Sequence, residues 1–329
     1  MGIHNLNKLL LDKCKKTNIR KTHLSELSGK TIAIDTSIYL YKFMADNTLT
    51  EHFYLMISLF RNYNIVPIFV FDGKPPKAKR ELLLKRRQHR KESEEQYNKL
   101  KEEYDAMNDS ADEKVELRKE MDLLKRESTS ISYDNLATTK ALITAYGAKY
   151  EQAEGEADVL CVQLVKLGKA WGCMSDDMDM FVYGCPRVFR HFSLVNHNVI
   201  SYDFSAMLVD LEMDIQTFRE IAVLSGTDYN CDNKTSLGET FALYERYKKS
   251  RSADGSADSP TNGFYDWVLH NSNYISDIEL LQSIAKMFDV ANYSDNLAIL
   301  NRIDQVVFEE INMPDLRDIL EKDGFVFVQ

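Results

Sequence analysis

Seven carboxylates recur in five short settings, most of them where an apolar run stops, and this placement restricts the fold more than any other feature of the chain. Asp35 lies in TIAIDTS, Asp72 in PIFVFDGKPP, Glu154 and Glu156 in EQAEGEAD, Asp177 and Asp179 in GCMSDDMDMF, and Asp228 in VLSGTDYN. Strands of a parallel sheet deliver the residues at their carboxyl ends to one crevice, so acids remote in sequence meet there. Two carboxylates about 4 Å apart repel by about 4 kcal/mol at an effective dielectric of about 20. Several together call for protonation or for divalent cations between them.

The surrounding pattern is that of an α/β protein with a mostly parallel central sheet. Segments 31–34, 67–71, 148–150, 170–174, 188–192 and 198–202 read as strands; the run at 67–71 is apolar throughout, as in a strand covered on both faces. Segments 6–14, 37–44, 53–63, 135–146 and 156–167 read as helices, and after Asp203 only helical patterns follow. Residues 77–127 are charged, free of Gly and poor in apolar residues, which predicts two or more long polar helices broken near 108–111. Such an insertion is either a solvated hairpin or a mobile arch. Residues 250–263 have the composition of a surface loop.

At −10 the net charge is wrong for a polyanion binder on average, yet KPPKAKRELLLKRRQHRK at 74–91 has Glu81 as its only acid, so a polyanion can be held locally. No stretch approaches about 18 uninterrupted apolar residues, which argues against a membrane span. The opening MGIHNLNKLLLDKCKK has neither the charge order nor the apolar core of a signal peptide, and an intracellular chain is expected. Cys14, Cys161, Cys173, Cys185 and Cys231 are odd in number and include no C-x-x-C pair, against both a disulfide framework and a zinc site.

Each acid taken singly has a structural explanation. Asp35 could cap a helix, Asp72-Gly73 could be a turn, and Glu154 and Glu156 could complement a helix dipole. Asp228 follows the carboxyl end of a helix expected at 217–225, where the dipole disfavours an anion, so helix electrostatics gives no reason for it. Asp177 and Asp179 are two apart beyond a strand; an extended backbone aims both to one side and turns Asp176 away, toward solvent or a cap. Oxygen-only ligation without His or Cys suits Mg²⁺ or Mn²⁺. Two such ions about 4 Å apart can activate water and steady the leaving oxygen of a phosphodiester.

The opening MGI, then IDTSIYLY, VFDGKPP-x-x-K, AEGEAD, SDDMDMF and LSGTDY, in this order, resemble the flap endonuclease family of structure-specific 5′ nucleases over roughly residues 1–250. The resemblance implies a PIN-like 5′ nuclease fold: a nuclease half at 1–74, a helical arch at 75–132, a second nuclease half at 133–229, and a helical DNA-binding and C-terminal region at 230–329. It implies two Mg²⁺, for which Mn²⁺ can substitute. Asp35, Asp72, Glu154 and Glu156 would hold the first, and Asp177, Asp179 and Asp228 would complete the second. Lys79 and Arg86 match the family's catalytic arch residues; seven apart, they face one way on a helix, and Arg90 continues the stripe.

Tyr41 matches the family's base-stacking tyrosine, worth about 1–3 kcal/mol per base; a place in the core is the alternative. Lys74, Lys77, Arg80, Arg87, Arg90, Lys234 and Gly238 are further candidate DNA contacts. In NCDNKTSLGETFALYERY, Gly238 survives from the family's duplex-gripping helix-two-turn-helix, but Glu239 and Thr240 stand where basic residues are expected. The tail has no clear sliding-clamp motif. The implied partner is DNA with a 5′ flap, nick or branch, cut by a monomer in a nucleus or a viral replication compartment. A 5′ to 3′ exonuclease or junction resolvase of the same family, or a catalytically silent DNA-binding scaffold, are the alternatives.

Overall fold

The computed structural model describes residues 3–106, 111–230, 235–253 and 263–327. Lys234, Cys231, most of the break expected near 108–111 and most of the loop expected at 250–263 lie outside the described residues.

Seven strands form one sheet: β1 (Ile19–His23), β2 (Thr31–Asp35), β3 (Val66–Phe71), β4 (Lys149–Gln152), β5 (Gly172–Met174), β6 (Arg187–Ser193) and β7 (Asn198–Asp203), in the spatial order β1-β7-β6-β5-β2-β3-β4. β2 pairs in parallel with both β3 and β5, β3 with β4, and β5 with β6, while β7 runs antiparallel to β6 and to β1. The chain leaves β2 toward β3 and β4, then crosses back to place β5 on the other side of β2. That reversal opens a crevice at the carboxyl ends of β2 and β5, where ligands of open α/β sheets bind.

The helices are α1 (Leu6–Lys13), α2 (Thr36–Ala45), α3 (Leu49–Asn62), α4 (Arg80–Ala106), α5 (Ala111–Ser128), α6 (Tyr133–Ala145), α7 (Ala157–Lys166), α8 (Asp179–Val182), α9 (Phe204–Asp210), α10 (Ile215–Leu224), α11 (Leu237–Ala253), α12 (Phe264–Asn271), α13 (Ile278–Met287), α14 (Leu297–Arg302) and α15 (Met313–Lys322). They cover both faces of the sheet, and the strands alternate accordingly. Ala33, Ile68 and Val70 join the core under α1, α7 and α10; Ile32, Ile34, Phe69 and Phe71 join the core under α2, α3, α6 and α15. No helix among the described residues is long and apolar enough to cross a membrane.

α4 and α5 pack on one another as an inserted hairpin. Among the described side chains of the two helices only Ser93 and Leu124 are buried, as the polar composition of the segment requires. At the other end of the chain, residues 304–312 return to the first half. The Glu309 N–H donates to Gly147 O and the Asn312 N–H to Ala145 O, both at 2.8 Å. Gly147 has φ +75°, and a Cβ there would lie 2.3 Å from Glu309 O, so this crossing needs glycine. Leu316 and Leu320 of α15 then complete the core beside α6.

Candidate active site

The acids are placed by the ends of β2, β3 and β5, by the amino ends of α7 and α8, and by the turn after α10. Asp35 is the last residue of β2, 4% exposed; it sits at the N-cap of α2 but makes no capping bond there. Its Oδ2 instead accepts from Ser175 Oγ at 2.9 Å, across the crevice from the end of β5. Burial first, then the charges of Asp72 and Asp177, push its pKa up to about 8, against the lowering effect of the Ser175 hydroxyl. Asp72, directly after β3, accepts from Ser37 Oγ and, at 2.8 Å, from the backbone N–H of Ala157 at the start of α7. The Asp72-Gly73 step is a close approach: the Gly73 N–H donates to Gly155 O at 2.6 Å, and a Cβ at Gly73 would stand 2.0 Å from Ala153 O.

The backbone between Asp177 and Asp179 is not extended. Met178 is helical and Asp179 opens α8, so a tight turn, and not strand alternation, brings these two acids together. Asp177 Oδ1 accepts the Asp179 N–H at 3.0 Å. Asp179 is 2% exposed and its Oδ1 has no hydrogen-bond partner. Its pKa is held well above the carboxylate range by burial first, then by Asp177 and Asp228, with Lys79 opposing. Asp176 points away, accepting the His191 N–H at 2.6 Å.

Two cations from the base of the arch enter this acidic crevice. Lys79 Nζ lies 2.6 Å from Glu156 Oε1 and over the Tyr229 ring, 5.0 Å from its centroid; Arg86 Nη2 lies 2.6 Å from Asp228 Oδ2. Burial, the largest single effect, disfavours the Lys79 ammonium, but Glu156 together with Tyr229 and Asp158 outweighs it and holds the pKa above the ordinary lysine value. Glu156 is saturated on its other oxygen, which accepts from Tyr229 OH at 2.9 Å and Tyr183 OH at 3.2 Å. The two cations are therefore counter-charges to acids, which the sequence pattern of a basic stripe does not reveal.

Asp35, Asp72, Glu156, Asp177, Asp179 and Asp228 thus share one electrostatic neighbourhood, joined by Asp158. Asp158 lies in the first turn of α7, and burial, followed by Asp35, Asp177, Asp72 and Glu156, raises its pKa well above normal. It stands two residues after Glu156 in AEGEAD, a spacing that repeats the Glu154-Glu156 interval and was the available sign. Glu154 is not brought into the group: its side chain is exposed, and the charge it acts on is Arg302. Among the described residues no three His, Cys, Asp or Glu side chains stand close enough to enclose an ion as they are.

The remaining candidates lie on the surface around the crevice. Tyr41 is 43% exposed, which removes the core alternative. Lys74, Lys77, Arg80 and Arg87 are exposed, and the last three line a cleft of about 300 Å³ with Pro75, Pro76, Leu83 and Leu84. Arg90 is half-buried, its Nε directed to Arg86 O at 3.4 Å. Gly238 is exposed in the first turn of α11. Glu239 is a helix-start residue: its Oε2 accepts from Ser236 Oγ at 2.9 Å and from the Ser236 N–H at 3.2 Å, which is why an acid and not a base stands there.

Comparison with known proteins bears on the family and the fold. The family model of the XPG N-terminal domain matches residues 1–93 and that of the XPG I-region residues 147–228. Flap endonuclease 1 of Entamoeba dispar is 32% identical over 270 residues, covering 75% of this chain and 68% of that protein. Flap endonuclease 1 of Chlamydomonas reinhardtii is 30% identical over 274 residues, covering 78% and 65%. The chain so spans about two thirds of the length of these curated relatives. In fold, the catalytic core of Rad2 in complex with a DNA substrate is similar with a TM-score of 0.66 at 20% identity, covering 98% of this chain and 95% of that one. Flap endonuclease-1 from Methanococcus jannaschii is similar with a TM-score of 0.56 at 20% identity, covering 98% and 100%.

Proposed function

Because the chain belongs to the flap endonuclease family, we propose that it is a structure-specific 5′ nuclease that hydrolyses phosphodiesters in 5′-flap or branched DNA with divalent metal. The observation that carries the reading is the gathering of six of the seven acids, with Asp158, at the carboxyl ends of β2, β3 and β5.

The residues present fit Mg²⁺ or Mn²⁺. The donors are carboxylate oxygens, three of the acids are held above their ordinary pKa by burial and then by one another's charge, and the buried Asp179 Oδ1 has no partner. Asp35, Asp72 and Glu156 would hold one ion, and Asp177, Asp179 and Asp228 a second, while Glu154, which the resemblance adds to the first, stands exposed beside it. When bound, such ions lower the pKa of water and stabilise charge on the phosphoryl oxygens.

The rest of the chemistry belongs to the chain. Lys79 and Arg86 exchange their carboxylates for the scissile phosphate and neutralise the charge that develops on it. Ser175 and Ser37 orient Asp35 and Asp72, and the two tyrosine hydroxyls keep Glu156 in place when Lys79 leaves it. Tyr41 offers an exposed ring to a base, while Lys77, Arg80 and Arg87 neutralise backbone phosphates beside the arch, through which the single-stranded 5′ end passes. With Glu239 committed to a helix start, Lys234, Lys248 and Lys249 would supply part of the grip on distal duplex. The protein would act as a monomer inside the cell, in a nucleus or a viral replication compartment.

The test is cleavage of a labelled 5′-flap substrate in Mg²⁺ by wild type and by Asp177→Asn with Asp179→Asn. Cleavage collapses in the double variant while DNA binding persists; retained turnover refutes the assignment. Parallel nicked, blunt, four-way and RNA substrates separate flap cleavage from exonuclease and resolvase activity.

A further inference from the structure

The loop that carries Glu154 and Glu156 is held from both sides. On one side lies the segment after β3: the Ala153 N–H donates to Phe71 O at 2.9 Å, the Gly73 N–H to Gly155 O at 2.6 Å, and the Lys74 N–H to Glu154 O at 3.1 Å. On the other side lies a single side chain from far along the sequence. Asn296 is 3% exposed, and its Oδ1 accepts the Glu154 N–H at 3.2 Å. Its Nδ2 donates to Gln163 Oε1 at 2.9 Å, and Gln163 Nε2 in turn donates to Val290 O at 3.2 Å and Tyr293 O at 2.9 Å.

The direction of every bond in this chain is forced. A backbone N–H can only donate and the two carbonyls can only accept, so both amides have one orientation each. Asn296 also stands at the N-cap of α14, a position where asparagine ordinarily satisfies the helix, yet it makes no capping bond. Its polar atoms are spent on the acid-bearing loop and on α7, the helix that begins immediately after Glu156.

We infer that Asn296 is a positioning residue for the metal-binding acids, setting the Glu154–Glu156 loop from the C-terminal region. This rests on the reading above that those acids bind metal. Asn296 lies beyond the residues matched by either family model, so no motif reports it. Loss of its amide leaves the Glu154 N–H without this part-buried partner and lets the loop move away from Asp72. Partners of metal ligands of this kind change metal affinity or activity by about 10- to 100-fold.

The experiment measures Mn²⁺ affinity without DNA, by the loss of the free-ion electron paramagnetic resonance signal, together with single-turnover flap cleavage and melting temperature. The variants are Asn296→Leu, Gln163→Met and Lys169→Met. Lys169 donates to Ile303 O and ties the same C-terminal region to the segment before β5, at the opposite end of that strand from the acids, so its variant reports structural loosening of this region. Asn296→Leu should weaken Mn²⁺ binding by about tenfold and lower the cleavage rate with KM for DNA unchanged, while Lys169→Met leaves both intact at a similar melting temperature.

Wild-type Mn²⁺ affinity and rate in Asn296→Leu, whatever its melting temperature, overturns the inference, as do equal losses in Lys169→Met. If Asn296→Leu does not fold, Gln163→Met decides: a loss of about threefold in Mn²⁺ affinity supports the inference, and none overturns it. Absence of Mn²⁺ binding by the wild-type protein overturns the nuclease reading itself, and this inference with it.

Discussion

Replacing Asp179 by asparagine should stabilise the protein in chelator while removing its response to metal. Asp179 is buried beside Asp177, whose Oδ1 accepts its N–H at 3.0 Å, and burial, Asp177 and Asp228 all disfavour its charge. At a separation of about 6 Å and an effective dielectric of about 20, one such pair repels by roughly 3 kcal/mol. Lys79 offsets part of this, so neutralising Asp179 should gain about 1–3 kcal/mol. At on the order of 2 °C per kcal/mol for a chain of this size, the melting temperature rises by a few degrees. Wild type at about 100-fold excess of Mn²⁺ over its Kd gains about 2.7 kcal/mol, and Asp179→Asn loses most of that gain. Differential scanning calorimetry with and without Mn²⁺ reads both effects. A variant that melts at or below wild type in chelator, and still gains the wild-type increment from Mn²⁺, refutes the electrostatic reasoning.

Three further outcomes follow from the same geometry. Lys79→Ala and Arg86→Ala should each slow single-turnover flap cleavage by about 10²–10³ while weakening DNA binding much less; equal losses would make them phosphate anchors only. Gly73→Ala places a Cβ 2.0 Å from Ala153 O, a backbone atom, and should cost about 1–3 kcal/mol in urea unfolding together with loss of Mn²⁺ affinity; an unperturbed variant contradicts the close approach. In chelator, the raised pKa of Asp35 means that between about pH 4 and pH 8 the folded state holds a proton the unfolded state has released, so stability falls as pH rises through that window. Melting temperatures across it should drop in wild type and drop less in Asp35→Asn.

The parallel core was legible because its pattern is local. The apolar run ending at Phe71 is covered on both faces, and the acids follow the strands that deliver them. β1 was not legible: IRKTH is polar, and as an edge strand paired with β7 it buries only Ile19 and Thr22, a spacing that leaves no strand alternation to read. α8 is too short to leave a helical period, so the Asp177-Asp179 pair was recognisable by spacing while its backbone was not. The basic stripe announced Lys79 and Arg86 but not their burial against Glu156 and Asp228, which depends on contacts 77 and 142 residues away. Ser37, Ser175 and Tyr229 sit beside motif acids and could be suspected from that adjacency. Tyr183 and Asn296 give no such sign, since only tertiary packing brings them to Glu156 and Glu154.

The most direct test of the account is anomalous diffraction from crystals soaked in Mn²⁺. It predicts two manganese peaks in the crevice between the carboxyl ends of β2 and β5, one touching Asp35, Asp72 and Glu156 and the other Asp177, Asp179 and Asp228, with Lys79 and Arg86 displaced from their carboxylates. A crevice without manganese at millimolar concentration, with both ion pairs intact, contradicts it.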